Sequence, residues 1–99
     1  MLSYTDAALI YKAMSDETRL KIIDMLSCDE LCACDILEEF AITQPTLSYH
    51  MKILTECGLV QARKDGAWTR YKVNPVLISQ VSDFFTQITS DTADCICKE

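Results

Sequence analysis

Thr43-Gln44-Pro45-Thr46-Leu47-Ser48-Tyr49-His50-Met51-Lys52-Ile53-Leu54 is the stretch whose reading decides the fold. Thr43 is a capping residue, and Pro45 falls in the first turn, where a missing N–H costs nothing. Leu47, Met51 and Leu54 recur at i, i+4 and i+7, the spacing of one helix face. Gly58 supplies a left-handed stop, and Leu59 beyond it can fold back on the helix end. A helix delimited at both ends is therefore expected, with a polar face opposite its apolar stripe.

Upstream of it, Ala41-Ile42-Thr43 is a short break, and Ala33 to Phe40 reads as a short preceding helix with Ile36, Leu37 and Phe40 inward. Further back, Ser15-Asp16-Glu17 offers a cap and acidic first-turn residues ahead of Ile22, Ile23 and Leu26. Ala7, Ile10, Tyr11 and Met14 mark a helix before that. Downstream the period changes to two. Val60 to Lys64, an Asp65-Gly66 turn and Trp68 to Val73 read as a β-hairpin, with Thr69, Tyr71 and Val73 on one face and Trp68, Arg70 and Lys72 on the other. Asn74-Pro75 then opens a last helix carrying Leu77, Val81, Phe84, Phe85 and Ile88. The expected fold is mainly α with a β-hairpin, in the order α-α-α-α-β-β-α: a winged helix-turn-helix. Residues 1–90 form one DNA-binding and dimerisation domain in this reading, and 91–99 a polar, cysteine-containing tail.

The 99 residues, 49% of them apolar, suffice for one modest core and not for two domains. No run approaches the roughly 18 apolar residues that would span a bilayer, and the first residues lack the basic and apolar regions of a secretory signal. A cytoplasmic location with no membrane partner is the expectation. In that compartment six cysteines mean metal, redox chemistry or plain core rather than a disulfide framework. Cys32/Cys34 and Cys95/Cys97 are paired, whereas Cys28 and Cys57 stand alone at helix ends with apolar neighbours and read as core. No C-x-x-C or nucleophile-base arrangement supports an enzyme.

A net charge of −6 argues against nucleic acid until its distribution is considered. Residues 43–74 hold Lys52, Arg63, Lys64, Arg70 and Lys72 against only Glu56 and Asp65, a basic face on an acidic body. On the decisive helix, Gln44, Thr46, Ser48 and Tyr49 can reach base edges or phosphates, and Lys52, Arg63, Lys64 and Arg70 read as phosphate contacts that set register. His50 is either a further DNA contact or a half-buried, hydrogen-bonded structural histidine. An ordinary solvated helix face is the alternative for the whole set; basic residues on two adjacent elements favour DNA.

Cys32 and Cys34 precede or open the third helix, where amide dipoles favour thiolates and soft ions become ligands. Asp29, Glu30, Asp35, Glu38 and Glu39 oppose this by raising the thiol pKa. Residues two apart on a regular helix point about 200° apart, so one ion held by both sulfurs is expected to strain the first turn and shift the support helix. The alternative is a pair of small buried hydrophobes. The C-x-C spacing is tighter than structural zinc uses.

These motifs resemble the ArsR/SmtB family of metal-sensing repressors over about Ala7 to Ile88. The residues that carry the likeness are Ser15-Asp16-Glu17-Thr18-Arg19-Leu20, Glu30-Leu31-Cys32-Ala33-Cys34-Asp35-Ile36 and Gln44 to Met51. The cysteine segment is similar to the inducer box of the arsenic-responsive branch. The resemblance implies a cytoplasmic homodimer that represses an arsenic-resistance operon, binds double-stranded operator DNA, uses no organic cofactor, and leaves DNA when As(III) or Sb(III) binds. A redox or Cd(II)/Pb(II)-responsive repressor of the same fold is the alternative. Some arsenic sensors have a third cysteine where this chain has Leu37, so a third sulfur would come from Cys95, Cys97 or Cys28. Residues 75–89 hold only Asp83 and no histidine, which disfavours the zinc-sensing set of the last helix.

Overall fold

The computed structural model describes residues 2–90 of the chain. Its elements are α1 (Tyr4–Met14), α2 (Glu17–Leu26), β1 (Leu31–Cys32), α3 (Ala33–Leu37), α4 (Gln44–Glu56), β2 (Val60–Asp65), β3 (Trp68–Val73) and α5 (Pro75–Ile88). The winged helix-turn-helix is present, with α3 and α4 as the helix pair and β2–β3 as the wing. One element is additional. β1 is a two-residue strand pairing antiparallel with β3, Leu31 opposite Tyr71 and Cys32 opposite Arg70, which makes a three-stranded sheet in the order β1-β3-β2. The element order thus gains a strand between the second and third helices.

Side chains delimit the helices as their cap residues require. Ser3, Asp16, Thr43 and Asn74 each accept backbone N–H groups from the first turn of α1, α2, α4 and α5, satisfying donors that a helix start leaves orphaned. Gly58 ends α4 with φ +90°, and its position admits no larger residue comfortably, because an added Cβ would lie 3.2 Å from Leu77 Cδ2. The hairpin turns one residue later than expected. Asp65 pairs with Trp68, leaving Gly66-Ala67 as a two-residue loop with positive φ at Gly66 alone, the pattern of a type II′ turn.

Ile10, Ile22, Leu26, Ile36, Leu47, Met51, Leu54, Leu59, Val60 and Val81 form one buried cluster. The apolar stripe of α4 is thus fully inward, and truncating Leu54 to Ala there would cost about 2–5 kcal/mol. α3 is shorter than its apolar pattern suggested. It ends at Leu37, and Glu39 and Phe40 continue as tight turns whose N–H groups bond Ile36 and Leu37 carbonyls. Phe40 still packs against the core, with the Lys21 ammonium 5.2 Å from its ring centre. α1 and α5 are joined by the Tyr11 hydroxyl, which donates to the Val81 carbonyl at 3.2 Å, and by edge-on Tyr4–Phe84 and Tyr11–Phe85 ring contacts.

Candidate nucleic-acid interface and thiol site

Gln44, Thr46, Ser48, Tyr49 and Lys52 are exposed along one side of α4, with Leu47 and Met51 buried on the other. The polar, exposed face expected of α4 is therefore present. Arg63 and Lys64 are exposed on β2, while Arg70 of β3 is half-buried.

Two of the expected phosphate-binding arginines are already engaged. Arg63 grips Glu30 through both Nη2 (2.7 Å) and Nε (3.4 Å), and Arg70 Nε donates to Asp65 at 3.0 Å. The Arg63 guanidinium holds the Glu30 carboxyl below its usual range, with Arg70 and Lys72 adding to the effect, and Glu30 in turn raises Arg63. Phosphates would have to compete with these carboxylates.

Of the two places expected for His50, its surroundings match that of a half-buried, hydrogen-bonded histidine. Its side chain is only 12% exposed, and its Nδ1 accepts from Arg19 Nη1 at 3.0 Å, with Asp16 Oδ2 at 3.9 Å. A guanidinium only donates, so Nδ1 is the acceptor and the ring proton sits on Nε2. Arg19 also donates from Nε to the Ala13 carbonyl at 2.6 Å. One side chain therefore fastens the end of α1 and the start of α2 to the middle of α4. Asp16 caps α2, and its carboxyl is lowered first by the Arg19 backbone N–H and then by the nearby Arg19 charge.

The thiols occupy the junction of β1 and α3. Cys32 is the residue before the helix, with extended backbone (φ −84°, ψ 162°), and Cys34 is the second helical residue. The expected 200° divergence does not apply, because only one of the two lies on the helix. The Cys32 and Cys34 sulfurs and an Asp35 carboxylate oxygen all lie within 4.8 Å of one another. No unwinding of α3 is required to bring them together, which corrects the strain expected of this spacing. Asp35 reaches back to accept the Cys32 N–H at 3.4 Å, so a bond typical of a helix cap holds the cluster. Cys32 is buried and Cys34 exposed. The Cys34 thiol is pushed up, first by its hydrogen bond with Cys32, then by burial and by the charges of Cys32 and Asp35.

The isolated cysteines divide. Cys57 is half-buried and its Sγ–H donates to the Leu54 carbonyl at 3.3 Å, a packing role. Cys28 is exposed, contrary to its expected burial. Cys95 and Cys97 lie outside the described residues.

Three kinds of feature at these sites were not read from sequence: an acid beside the thiols, two pairings across the chain, and a cleft. Asp35 figured only as a charge opposing thiolates, although its i+3 spacing from Cys32 is a capping-box signal. The partnerships Glu30–Arg63 and Arg19–His50 span 33 and 31 residues and leave no local signature. The third is a cleft of about 410 Å³ between α3, the start of α4 and the wing tip, onto which Cys34 opens.

The sequence pattern described as bacterial regulatory protein, arsR family, matches residues 16–62, which run from the α2 cap through the helix pair into β2. An arsenical resistance operon repressor of Staphylococcus aureus is 44% identical over 97 residues, covering 98% of this chain and 93% of that protein. The chain belongs to the ArsR family. It is a metal-responsive transcriptional repressor and not an enzyme. Among solved structures, an ArsR-like regulator from Rhodococcus superposes with TM-score 0.77 at 26% identity, covering 86% of this chain and 80% of that one. The homodimeric winged helix-turn-helix domain of a Mycobacterium bovis protein shares the fold, with TM-score 0.71 at 24% identity, covering 85% and 79%. Among the described residues of this ArsR-family repressor no helix is long and apolar enough to cross a membrane.

Proposed function

We propose that the chain is a dimeric, cytoplasmic repressor that grips operator DNA through α4 and the wing and lets go when As(III) or Sb(III) bonds to Cys32 and Cys34. The observation that carries this reading is the convergence of the two sulfurs and Asp35 at the β1–α3 junction. Sulfur donors suit a thiophilic ion, and the hard oxygen cations do not select such a set. The S. aureus relative, named as an arsenical resistance operon repressor, supports the choice of ion.

The junction explains how such binding reaches DNA. Cys32 pairs with Arg70 in the wing's central strand, and Glu30, two residues earlier, holds Arg63. Drawing the two sulfurs onto one ion shifts β1 against β3, and with it the wing relative to α4, since α3 packs against β1 and β3. Because binding free energies are reciprocal, DNA then weakens the ion by the factor with which the ion weakens DNA. Gln44, Thr46, Ser48 and Tyr49 read or position bases in this scheme, with Lys52, Lys64, Arg63 and Arg70 at phosphates.

A two-fold dimer presents two α4 helices to a palindromic site. Tyr4, Leu9, Phe85 and Ile88 on α1 and α5 are large, apolar and exposed in the single chain, and the M. bovis neighbour with this fold is a homodimer.

A DNA-release titration tests the reading. As(III) or Sb(III), under fully reducing conditions, should free labelled operator from the wild type and fail on Cys32→Ser and Cys34→Ser, while Zn(II) does not. Release that survives both substitutions, or that needs only an oxidant, would sink it. A chain ending at Asp94 shows whether Cys95 or Cys97 adds a sulfur.

A further inference from the structure

In B-form DNA a single sugar–phosphate backbone separates each major groove from the minor groove beside it. A helix seated in the major groove and a hairpin reaching past that backbone must therefore leave a gap between them for one strand. This chain has such a gap. The cleft of about 410 Å³ has Gln44 and Ser48 of α4 on one wall, Trp68 and Thr69 of the wing on the other, and the buried Leu47 and Met51 at its floor. Thr69 lies opposite Lys64 across the hairpin, and directly opposed residues share a sheet face, so the exposed Lys64 stands on the cleft-facing side of the wing. Two hydroxyls, an amide and an ammonium are groups that bind phosphate oxygens. The third side belongs to α3, through Cys34 and Leu37. Cys34 is exposed there, whereas the Asp35 carboxylate, which would repel a phosphate, is held back on the Cys32 N–H and does not line the cleft.

We infer that one strand of the DNA duplex runs through this cleft and lies directly over Cys34, so that DNA and any group carried on the Cys34 sulfur exclude one another by contact; this rests on the proposed grip of α4 and the wing on DNA. Phosphates of the seated strand face Ser48, Thr69 and Lys64. Trp68, 57% exposed at the wing tip, borders the strand on its minor-groove side, where the indole packs against deoxyribose. The two thiols then differ in role. Cys32 is buried and does not line the cleft, so it anchors a bound ion within the protein, whereas Cys34 sets that ion in the path of the strand. DNA is displaced by the ion itself as well as by the shift of the wing, and a duplex already in place shields Cys34 from attack.

Thiol footprinting of the full chain provides the test. Iodoacetamide labels exposed cysteines, and tandem mass spectrometry resolves Cys34 from Cys28, which is exposed but does not line the cleft. With operator duplex at about ten times its Kd, mutual exclusion should slow labelling of Cys34 about tenfold and leave Cys28 unchanged. Two substitutions separate a covering strand from a distant effect of DNA on α3. Cys34→Lys puts a cation beneath a phosphate, so the slope of log affinity against log salt should steepen by about one. Cys34→Phe fills the seat and should weaken binding about tenfold, equivalent to about 1.4 kcal/mol, with circular dichroism unchanged. Cys34 no better protected than Cys28, or the two substitutions weakening binding alike at the wild-type salt slope, overturns the inference and leaves DNA binding by α4 and the wing standing. Absence of salt-sensitive binding of the wild type to duplex DNA overturns both.

Discussion

Arg19 Nη1 stands 3.0 Å from His50 Nδ1, and this bond joins the capped start of α2 to the middle of the helix proposed to read DNA. Because Arg19 also holds the Ala13 carbonyl, α4 is oriented by a side chain anchored on two other helices. His50→Ala leaves a half-buried guanidinium without its acceptor, which costs about 1–3 kcal/mol. Urea denaturation should show that loss, with His50→Gln recovering part of it through its amide oxygen. Unchanged stability with altered base preference would instead return His50 to the DNA-reading face.

The Glu30–Arg63 pair predicts a gain of DNA affinity from a charge-neutralising change. Glu30→Gln releases Arg63 for phosphate, so binding to duplex DNA should tighten and the slope of log affinity against log salt should steepen by about one. Folding stability should hardly move, since exposed ion pairs contribute little to it. Fluorescence anisotropy across a salt series reads both quantities. An unchanged slope would mean that Arg63 does not reach the DNA backbone.

Asp16 and Glu30 each add a small acid sensitivity to the fold. Both carboxyls lie below their ordinary values of 3.8 and 4.5 in the folded chain, so each contributes stability that is fully present above those values. That contribution fades as pH falls through the lowered folded pKa. Asp16→Asn keeps a good helix cap and removes the titration. Its stability should therefore fall less steeply than the wild type's from about pH 4 downward, as followed by circular dichroism during acid titration.

The parts of the fold that were legible in sequence are those with a boundary signal or a clear period. α4 has Thr43 and Gly58, α5 has Asn74-Pro75, and the alternation from Val60 to Val73 names the hairpin. β1 escaped because two residues are too few to show a period, and its formation depends on the distant Leu31–Tyr71 and Cys32–Arg70 pairings. That strand is also why the thiol geometry was misjudged. Treating Cys32 and Cys34 as co-helical implied opposed sulfurs, whereas one extended residue at position 32 brings them together. The exposed polar face of α4 followed from its period. The engagement of Arg63, Arg70 and His50 did not, since it depends on which carboxylates and guanidiniums folding places beside them.

Gly58 is a position where the backbone admits little choice. Its φ of +90° is costly for any residue with a Cβ, and Leu77 Cδ2 stands where that Cβ would press. Gly58→Ala should cost about 1–3 kcal/mol, seen as a lower melting temperature, while Gly66→Ala, with nothing within 4 Å of its added Cβ, should cost less. Equal losses at both positions would leave the Leu77 contact without weight.

Phe85 tests the assembly. It is 57% exposed on α5 although its ring leans edge-on against Tyr11 at 6.4 Å, so one side packs within the chain and the other faces outward beside Ile88. Phe85→Glu places a charge on that outer side, where a self-complementary interface would bury it in each copy against its partner. Sedimentation should show a shift from dimer to monomer, with circular dichroism unchanged because the outward face carries little of the core. Affinity for a full palindromic operator should fall much further than affinity for a half-site, since only the former needs two linked α4 helices. A variant that stays dimeric, or loses both affinities equally, would place the interface elsewhere.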